Sequence, residues 1–290
     1  MEIKKAVIPA AGWGTRFLPI TKSIPKEMLP ILDKPIIQYV VEEAVNSGIS
    51  DIIIVTGTKK KAIEDYFDRS LELEGFLKEN KKEEELEEIK RIANLANFIY
   101  LRQKTEKYGN AIPVLMAQPV IGKEWFAVLW GDEFILAKPP RLKQMFDVFE
   151  KYKGVIISAV RIKKKRLLSR YGIAEIKRME KNVYRIKKII EKPSPEEAPS
   201  NLATHGAYIL PPEIFEIISH LKPTRQNEFW LTDAINILLK EDFPVYACEI
   251  ENGRYYDTGN KLEYLKTVIE FALSSKEFKK ELKEYLRRLI

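Results

Sequence analysis

The chain has 290 residues, of which 45% are hydrophobic and 31% charged, a composition typical of a folded globular protein rather than a disordered one. No apolar run approaches the ~20 residues that a membrane-spanning helix needs, and a single cysteine with two histidines excludes an internal disulfide and argues against a structural zinc site. The formal net charge is +7, but basic and acidic residues are interleaved through most of the chain and no motif of a known nucleic-acid-binding module occurs. We therefore expect a cytoplasmic protein that binds a small polyanion and has neither nucleic acid nor a membrane as a partner.

The first part of the chain alternates strands with helices. Apolar residues recur at helical spacing from Ile36 until Gly48, and the continuous apolar run at 51–56 is typical of a strand buried on both faces. Similar patterns predict strands at 4–9, 51–56, 98–101, 125–130 and 154–160, and helices at 36–47, 60–68, 71–94, 110–118 and 141–151. This alternation predicts an α/β fold with a doubly wound, mainly parallel (mixed) sheet.

The second part changes pattern. Short strands at 172–177, 183–190 and 203–210 follow one another without helices between them, so we interpret residues 165–210 as a small β lobe that faces the substrate. Helices are then predicted at 212–219, 231–239 and 261–273, followed by a charged amphipathic segment up to residue 290. Because no internal repeat or low-complexity linker occurs, we expect a single domain over 1–290 with a C-terminal helical segment at 261–290.

The loop after the first strand, PAAGWGTRFLPITKSIPKEMLP at 9–30, is the most informative segment. Ligands of open α/β sheets bind beyond the carboxyl ends of the strands. Ala10, Ala11 and Gly12 have little or no side chain, so their backbone N–H groups can approach a phosphate or a base closely. A dinucleotide-binding fingerprint is excluded by Phe17, which stands where a third small residue is needed, and the Gly-Lys-Ser/Thr of a P-loop is absent.

Prolines shape the rest of this loop. Each one lacks an N–H donor and fixes φ, so residues 17–29 cannot form a continuous helix. We expect a stiff extended segment that presents three cations at defined places: Arg16, Lys22 and Lys26.

Residues 6–49, AVIPAAGWGTRFLPITKSIPKEMLPILDKPIIQYVVEEAVNSGI, closely resemble the bacterial-type UDP-glucose pyrophosphorylases (UTP–glucose-1-phosphate uridylyltransferases) of the sugar nucleotidyltransferase family. The related thymidylyltransferases carry Lys-Gln where this chain has Lys26-Glu27. Further matches are FDRSLELE at 67–74, APSNLA at 198–203 and LTDAI at 231–235. The resemblance implies a Rossmann-like (GT-A-like) nucleotidyltransferase fold and a homodimer or homotetramer. It also implies transfer of UMP from UTP to glucose 1-phosphate, with Mg²⁺ as cofactor and pyrophosphate as the second product.

The same resemblance assigns the metal carboxylates to Asp132 and Asp257. Taken alone, Asp132 follows a glycine and would more often be a turn residue, and Asp257 could be a helix N-cap. However, Asn260 and Glu263 already form an Asn-x-x-Glu capping pattern, which leaves Asp257 available for a metal.

The remaining roles are also implied by the resemblance. The catalytic cations would be Arg16, Lys26 and Lys192. The nucleotide would be bound by Ala10, Ala11, Gly12, Gly14, Thr15, Gln103 and Gly109, with Gln103 reading the uracil edge. The sugar would be bound by Gly172, Glu191, Lys192 and Tyr208. His205 and Glu228 receive no role, and the chain departs from the family by having Asn110 in place of a histidine and a bulky Trp13.

Two other functions stay open at this point. The nucleophile would be an anionic phosphate oxygen that needs no general base, which any sugar-1-phosphate nucleotidyltransferase using dTTP or an amino sugar would share. A non-catalytic nucleotide-sugar sensor with the same fold would be expected to lack phosphate- or metal-binding residues, yet this chain retains Arg16, Lys26, Asp132, Lys192 and Asp257.

Overall fold

A mixed nine-stranded sheet forms the centre of the part of the chain that the computed structural model describes, residues 2–58, 60–224 and 227–289. The predicted ends of the domain, Met1 and Ile290, lie outside the described residues. None of the described helices is both long and apolar enough to cross a membrane.

The strands are β1 (Lys5–Ala10), β2 (Pro30–Ile31), β3 (Lys34–Pro35), β4 (Asp51–Thr56), β5 (Asn97–Arg102), β6 (Phe126–Leu129), β7 (Glu133–Ala137), β8 (Val155–Arg161), β9 (Gly172–Arg178), β10 (Val183–Glu191), β11 (Leu202–Leu210), β12 (Val245–Glu249) and β13 (Gly253–Asp257). The α-helices are α1 (Ile36–Asn46), α2 (Lys61–Phe67), α3 (Leu71–Glu79), α4 (Glu83–Ala93), α5 (Ala111–Met116), α6 (Gln118–Ile121), α7 (Arg141–Tyr152), α8 (Ile214–His220), α9 (Leu231–Lys240), α10 (Lys261–Ser274) and α11 (Lys279–Leu289). Every predicted strand is confirmed, with ends shifted by at most one residue.

The strand order in the sheet is β5-β4-β1-β6-β11-β8-β12-β10-β9. Pairing is parallel from β5 through β4 and β1 to β6 and again between β12 and β8, whereas β9, β10 and β11 pair antiparallel with their neighbours. The mainly parallel pairing that we predicted therefore holds for one side of the sheet, and the other side is largely antiparallel. Strands β9 to β11 continue the main sheet. An extra pairing between β11 and β9 joins the last five strands of the sheet order, β11-β8-β12-β10-β9, into a closed ring.

Helices cover both faces of the sheet, as expected for strands without a polar face. Residues 52–55 of β4 are fully buried. Side chains of α1 and α7 pack on one face of the sheet, and those of α5, α8 and α9 pack on the other. The loops at the carboxyl ends of the parallel strands are left open to solvent between these layers.

Two local predictions were wrong. Residues 17–29 are not extended: they fold into short 3₁₀ turns at Ile20–Lys22 and Lys26–Met28, after a first turn at Thr15–Phe17. Pro19 and Pro25 stand directly before the second and third turns, where a missing N–H costs no hydrogen bond, and their carbonyls accept from the N–H groups of Lys22 and Met28. The helix predicted at 71–94 is divided into α3 and α4 near Lys81, whose φ is 57°.

Candidate active site

Ten of the fifteen predicted site residues meet beyond the carboxyl ends of β4, β1 and β6, where two adjoining cavities of about 450 Å³ and 540 Å³ lie side by side. The larger one is lined by ten of the predicted residues: Ala11, Gly12, Gly14, Thr15, Arg16, Lys26, Gln103, Gly109, Asp132 and Lys192. Five others line neither cavity: Ala10, Gly172, Glu191, Tyr208 and Asp257. Of these, Ala10 is buried inside β1, with Thr56 as its register partner.

The first loop folds back on itself, so its small residues lie against Lys26. Gly14 has φ +65°, and a Cβ there would lie 3.2 Å from Thr21 Cγ2 and 3.3 Å from Lys26 Cβ. The Thr21 hydroxyl donates to the carbonyl of Gly14 at 2.8 Å. A Cβ at Gly12 would lie 3.8 Å from Lys26 Nζ. A glycine is therefore favoured at 14, because its left-handed φ would strain another residue and a Cβ would press against Thr21 and Lys26.

Lys26 and Asp132 form an ion pair across the cleft, with 2.5 Å between Nζ and Oδ2. Burial lowers the pKa of Lys26, but the Asp132 and Glu27 carboxylates together more than offset this and the pKa lies above its usual value. Burial would likewise raise the pKa of Asp132, but the nearby cations of Lys26, Lys60 and Arg16 hold it below its usual value. Both side chains are therefore charged at neutral pH.

Asp257 is brought beside Asp132 by a strand pair that the sequence did not reveal. Strands β7 and β13 pair antiparallel, and this register places Asp257 opposite Glu133. A Cβ at Gly259 would lie 3.3 Å from Asp132 Oδ2 and 3.4 Å from Asp257 Oδ1, so the two carboxylates converge on one point. Burial, followed by the charges of Glu133 and Asp132, raises the pKa of Asp257.

These two carboxylates suit a divalent cation that takes its other ligands from the substrate. Among the described residues, no group of three or more His, Cys, Asp or Glu side chains is arranged to hold a metal ion. Mg²⁺ is commonly bound through one or two carboxylates together with substrate phosphates and water, and two converging carboxylates match that pattern. The predicted cap at Asn260 is confirmed, since its side chain accepts from the N–H groups of Leu262 and Glu263.

The residues predicted to bind the sugar lie on β9, β10 and β11. Glu191 and Gly172 are register partners, and a Cβ at Gly172 would lie 3.1 Å from Glu191 Oε2. Lys192 has φ 47°, and its Nζ lies 4.5 Å from the centre of the Trp230 ring. Tyr208 is buried behind this surface, where burial and the charge of Glu191 raise its pKa. The structure thus brings Gly172, Glu191 and Lys192 together at the end of β10.

On the nucleotide side, the loop at 103–111 is fastened to the segment before α9. Gln103 donates from its side-chain amide to the carbonyl of Lys107 at 3.2 Å. Gly109 has φ +123°, and a Cβ there would lie 2.2 Å from the carbonyl oxygen of Phe229. Asn110 Oδ1 accepts from the N–H of Leu231 at 2.7 Å. Asn110, the residue that departs from the family pattern, therefore accepts a hydrogen bond from the first residue of α9.

Two features of the site were missed by the sequence reasoning. Lys60 donates to both carboxylate oxygens of Glu27, at 2.8 and 3.1 Å, and this largely buried pair lies at the walls of the two cavities, Lys60 at the smaller and Glu27 at the larger. A lysine at a strand end is normally solvated, so the sequence carries no signal for it. His205 is buried between the rings of Tyr171 and Tyr255, at centroid distances of 4.4 and 4.1 Å.

Known proteins resemble this chain over its whole length. A family model described as nucleotidyl transferase matches residues 5–273. The UTP–glucose-1-phosphate uridylyltransferase of Staphylococcus haemolyticus is 48% identical over 289 residues, which cover 99% of each chain. A UDP-glucose pyrophosphorylase solved in complex with UDP-glucose is 42% identical, with a TM-score of 0.86 over 94% of this chain and 100% of that one. A UTP-bound UGPase from Acinetobacter baumannii is 37% identical, with a TM-score of 0.90 over 100% of both chains.

These likenesses agree with the nucleotidyltransferase fold. The chain belongs to the nucleotidyl transferase family and, within it, to the UTP–glucose-1-phosphate uridylyltransferases.

Proposed function

We propose that the chain transfers UMP from UTP to glucose 1-phosphate, giving UDP-glucose and pyrophosphate, as a single nucleotidyltransferase domain over 1–290. The observation that carries this proposal is the convergence of Lys26, Asp132 and Asp257 at one point of a cleft that Arg16 and Lys192 also face. Support for the substrate pair comes from two similar structures, one UTP-bound and one in complex with UDP-glucose.

The nucleotide lies along the first loop in this proposal. The backbone of residues 10–12 together with Gly14 and Thr15 binds the base and the phosphates. Gln103 reads the uracil edge, and Gly109 allows close approach to the nucleoside. Ala11 and Gly12 line the larger cavity, and a Cβ at Gly12 would meet only the Lys26 side chain, at 3.8 Å, so this stretch leaves backbone surfaces free of side chains. Such surfaces allow N–H groups to reach a phosphate or a base edge.

The sugar phosphate lies on the opposite side of the cleft. Glu191 accepts hydrogen bonds from the glucose hydroxyls, Lys192 binds the 1-phosphate, and Gly172 and Tyr208 form the wall of this subsite. Strands β9 to β11 act as the sugar-side lobe, although they continue the main sheet. The packing of Lys192 over Trp230 supports this role because it holds the ammonium at the rim of the larger cavity.

The reaction is a direct displacement at the α-phosphorus of UTP. A phosphate oxygen of glucose 1-phosphate forms the new P–O bond while the bond to the β-phosphate oxygen breaks and pyrophosphate leaves. Lys26 and Lys192 offset the repulsion between the two anions, and Arg16 holds the departing phosphates. Asp132 and Asp257 would hold Mg²⁺, which when bound neutralises charge on the phosphates.

Pyrophosphate release tests the proposal directly. Glucose 1-phosphate, and separately an amino-sugar 1-phosphate, is supplied with Mg²⁺ and each nucleoside triphosphate in turn, and we expect release with UTP and glucose 1-phosphate above all other pairs. Release mainly with dTTP, or mainly with an amino-sugar phosphate, would instead support the related transferases. Binding of UDP-glucose without release under any condition would support a sensor and defeat the enzymatic proposal.

The assembly that we propose is a homodimer or homotetramer. No side chain of the last helix, α11, is fully buried against the rest of the described chain, and its apolar residues include Tyr285 and Leu289, both more than half exposed. Light scattering coupled to size-exclusion chromatography tests this, and a monomer at all concentrations would contradict it.

A further inference from the structure

Glu27 and Lys60 form a buried ion pair to which no role in the reaction has been assigned above. Glu27 is 1% exposed and Lys60 is 7% exposed. The Lys60 ammonium donates to both oxygens of the Glu27 carboxylate, at 2.8 and 3.1 Å. Burial lowers the pKa of Lys60 below its usual value, although the charge of Glu27 opposes this.

The pair joins three separate pieces of the site. Lys60 follows the carboxyl end of β4, and Glu27 lies in the same 3₁₀ turn as Lys26. A Cβ at Gly131 would lie 3.3 Å from Glu27 Cγ, so the Glu27 side chain packs directly below the backbone that carries Asp132. The pair therefore connects the turn of Lys26 to the strand ends on either side of β1.

Stability alone does not explain a charged pair at this place. Desolvating two charges costs about as much as their attraction returns, and well-packed apolar residues of similar size are often as stable. An ion pair with two hydrogen bonds fixes the orientation of its side chains, because both oxygens of the carboxylate accept from the ammonium. The turn that bears Lys26 is short and has no side-chain cap of its own, so it depends on such an anchor.

We propose that Glu27 and Lys60 are positioning residues that fix the turn of Lys26, so that its ammonium points at the reacting phosphate as well as at Asp132. This inference rests on the proposed transferase function. It concerns orientation only: neither side chain contacts a substrate in this proposal. Misplacing a catalytic group by about 1 Å is enough to cost roughly 10²-fold in rate.

The test compares Lys60→Met, Glu27→Gln and the double variant Glu27→Leu/Lys60→Met with the wild type in pyrophosphate release and thermal unfolding. Each single variant leaves a buried charge or polar group without its partner, so we expect a lower Tm and a kcat at least about tenfold lower, with KM for both substrates within about threefold. The double variant removes the unpaired charge, so its Tm recovers while its kcat remains low. Lys60→Arg retains the directed pair and should keep most of the wild-type kcat.

Three results would overturn the proposal. The first is a double variant whose kcat recovers together with its Tm, because the pair would then serve stability alone. The second is a single variant with wild-type kcat, and the third is an effect confined to KM. If the single variants do not fold, the double variant decides the question.

A matched control is Lys61→Met, which changes the adjacent, exposed lysine and should leave both kcat and Tm unchanged. Failure of the proposed function is separate, since it would appear as absent pyrophosphate release by the wild type.

Discussion

Lys26 and Asp132 are each other's counter-ion: their side chains meet at 2.5 Å although the two residues are 106 positions apart in the sequence. The contact joins the first loop to the end of β6, and it places a cation where a metal-binding carboxylate is proposed. Substitutions at the two positions are therefore not equivalent. Removing Lys26 leaves an unpaired carboxylate that a metal can still neutralise, whereas removing Asp132 leaves an unpaired ammonium at the cleft.

Replacing Lys26 with alanine should lower kcat for pyrophosphate release by roughly 10²-fold or more, as for the loss of one preorganised donor to a transition state. The unfolding temperature should also fall, because both side chains are about three quarters buried and the Asp132 carboxylate loses its partner. Lys163→Ala, at an exposed lysine outside both cavities, is the control. Near-normal turnover in Lys26→Ala would remove this residue from the mechanism.

Chelation of divalent cations should abolish pyrophosphate release, and added Mg²⁺ should restore it. Asp132→Asn and Asp257→Asn should both require more Mg²⁺ for half-maximal rate, since amide oxygens are weaker ligands for this cation than carboxylates. Asp65→Asn, at an exposed carboxylate, should leave the Mg²⁺ requirement unchanged. Full activity of the chelated wild-type protein would contradict a metal at these carboxylates.

Gly109→Ala should impair folding or UTP binding, because the added Cβ would lie 2.2 Å from the carbonyl oxygen of Phe229 and the backbone φ is +123°. Overpacking of this kind costs about 1–3 kcal/mol in the free energy of unfolding. Gly75→Ala is a matched control, since it lies within α3 with no atom near the added Cβ. That variant should be stabilised by up to about 1 kcal/mol. Equal stability of the two variants in denaturant unfolding would show that Gly109 is not constrained.

The Cys248 thiol should be unreactive in the folded protein. It is fully buried, and burial raises its pKa from the ordinary 9.0 to about 12. Folding therefore favours the neutral thiol. Its contribution to the free energy of unfolding is fully present below pH 9.0 and is lost as the pH rises towards about 12. A thiol reagent at pH 8 should label the native chain slowly and the denatured chain at its single cysteine. Rapid labelling of the native protein would contradict this burial.

The sequence was sufficient for eight of the nine strands of the main sheet, because their apolar runs are bounded by turn residues, but it did not predict β12. The sequence did not predict contacts between residues that are far apart in the chain. The pairing of β7 with β13, which brings Asp257 to Asp132, joins two short segments separated by more than a hundred residues, and neither has a clear alternating pattern. The placement of Asp257 beside Asp132 could therefore be expected only from family resemblance.

The same limit applies to the charges around the first loop. The cations of the loop and the small residues before them were visible in the sequence, and most of them line the larger cavity. The Glu27–Lys60 pair was not visible, because burial of a lysine depends on the fold around it rather than on its neighbours in the chain. The extended conformation expected for 17–29 was wrong for a local reason. Proline fixes its own φ but leaves ψ free, so turns can form between the prolines.

Asn110, which stands where the family usually has a histidine, gives the last prediction. Its side chain accepts from the N–H of Leu231, a fully buried residue at the start of α9. Asn110→Ala leaves that N–H without a partner, which should lower the free energy of unfolding by about 1–2 kcal/mol. It should also raise KM for UTP, because the lost hydrogen bond holds the loop of Gly109, which lines the larger cavity, against the start of α9.

Denaturant unfolding and steady-state kinetics measure both effects of Asn110→Ala. The control is Asn94→Ala, since Asn94 is an exposed asparagine that donates to the carbonyl of Lys90 and is remote from the cleft. That variant should change stability by less than about 0.5 kcal/mol. If Asn110→Ala instead raised KM with unchanged stability, the residue would act on the nucleotide itself, and its substitution for histidine would bear on substrate choice rather than on the anchoring of α9.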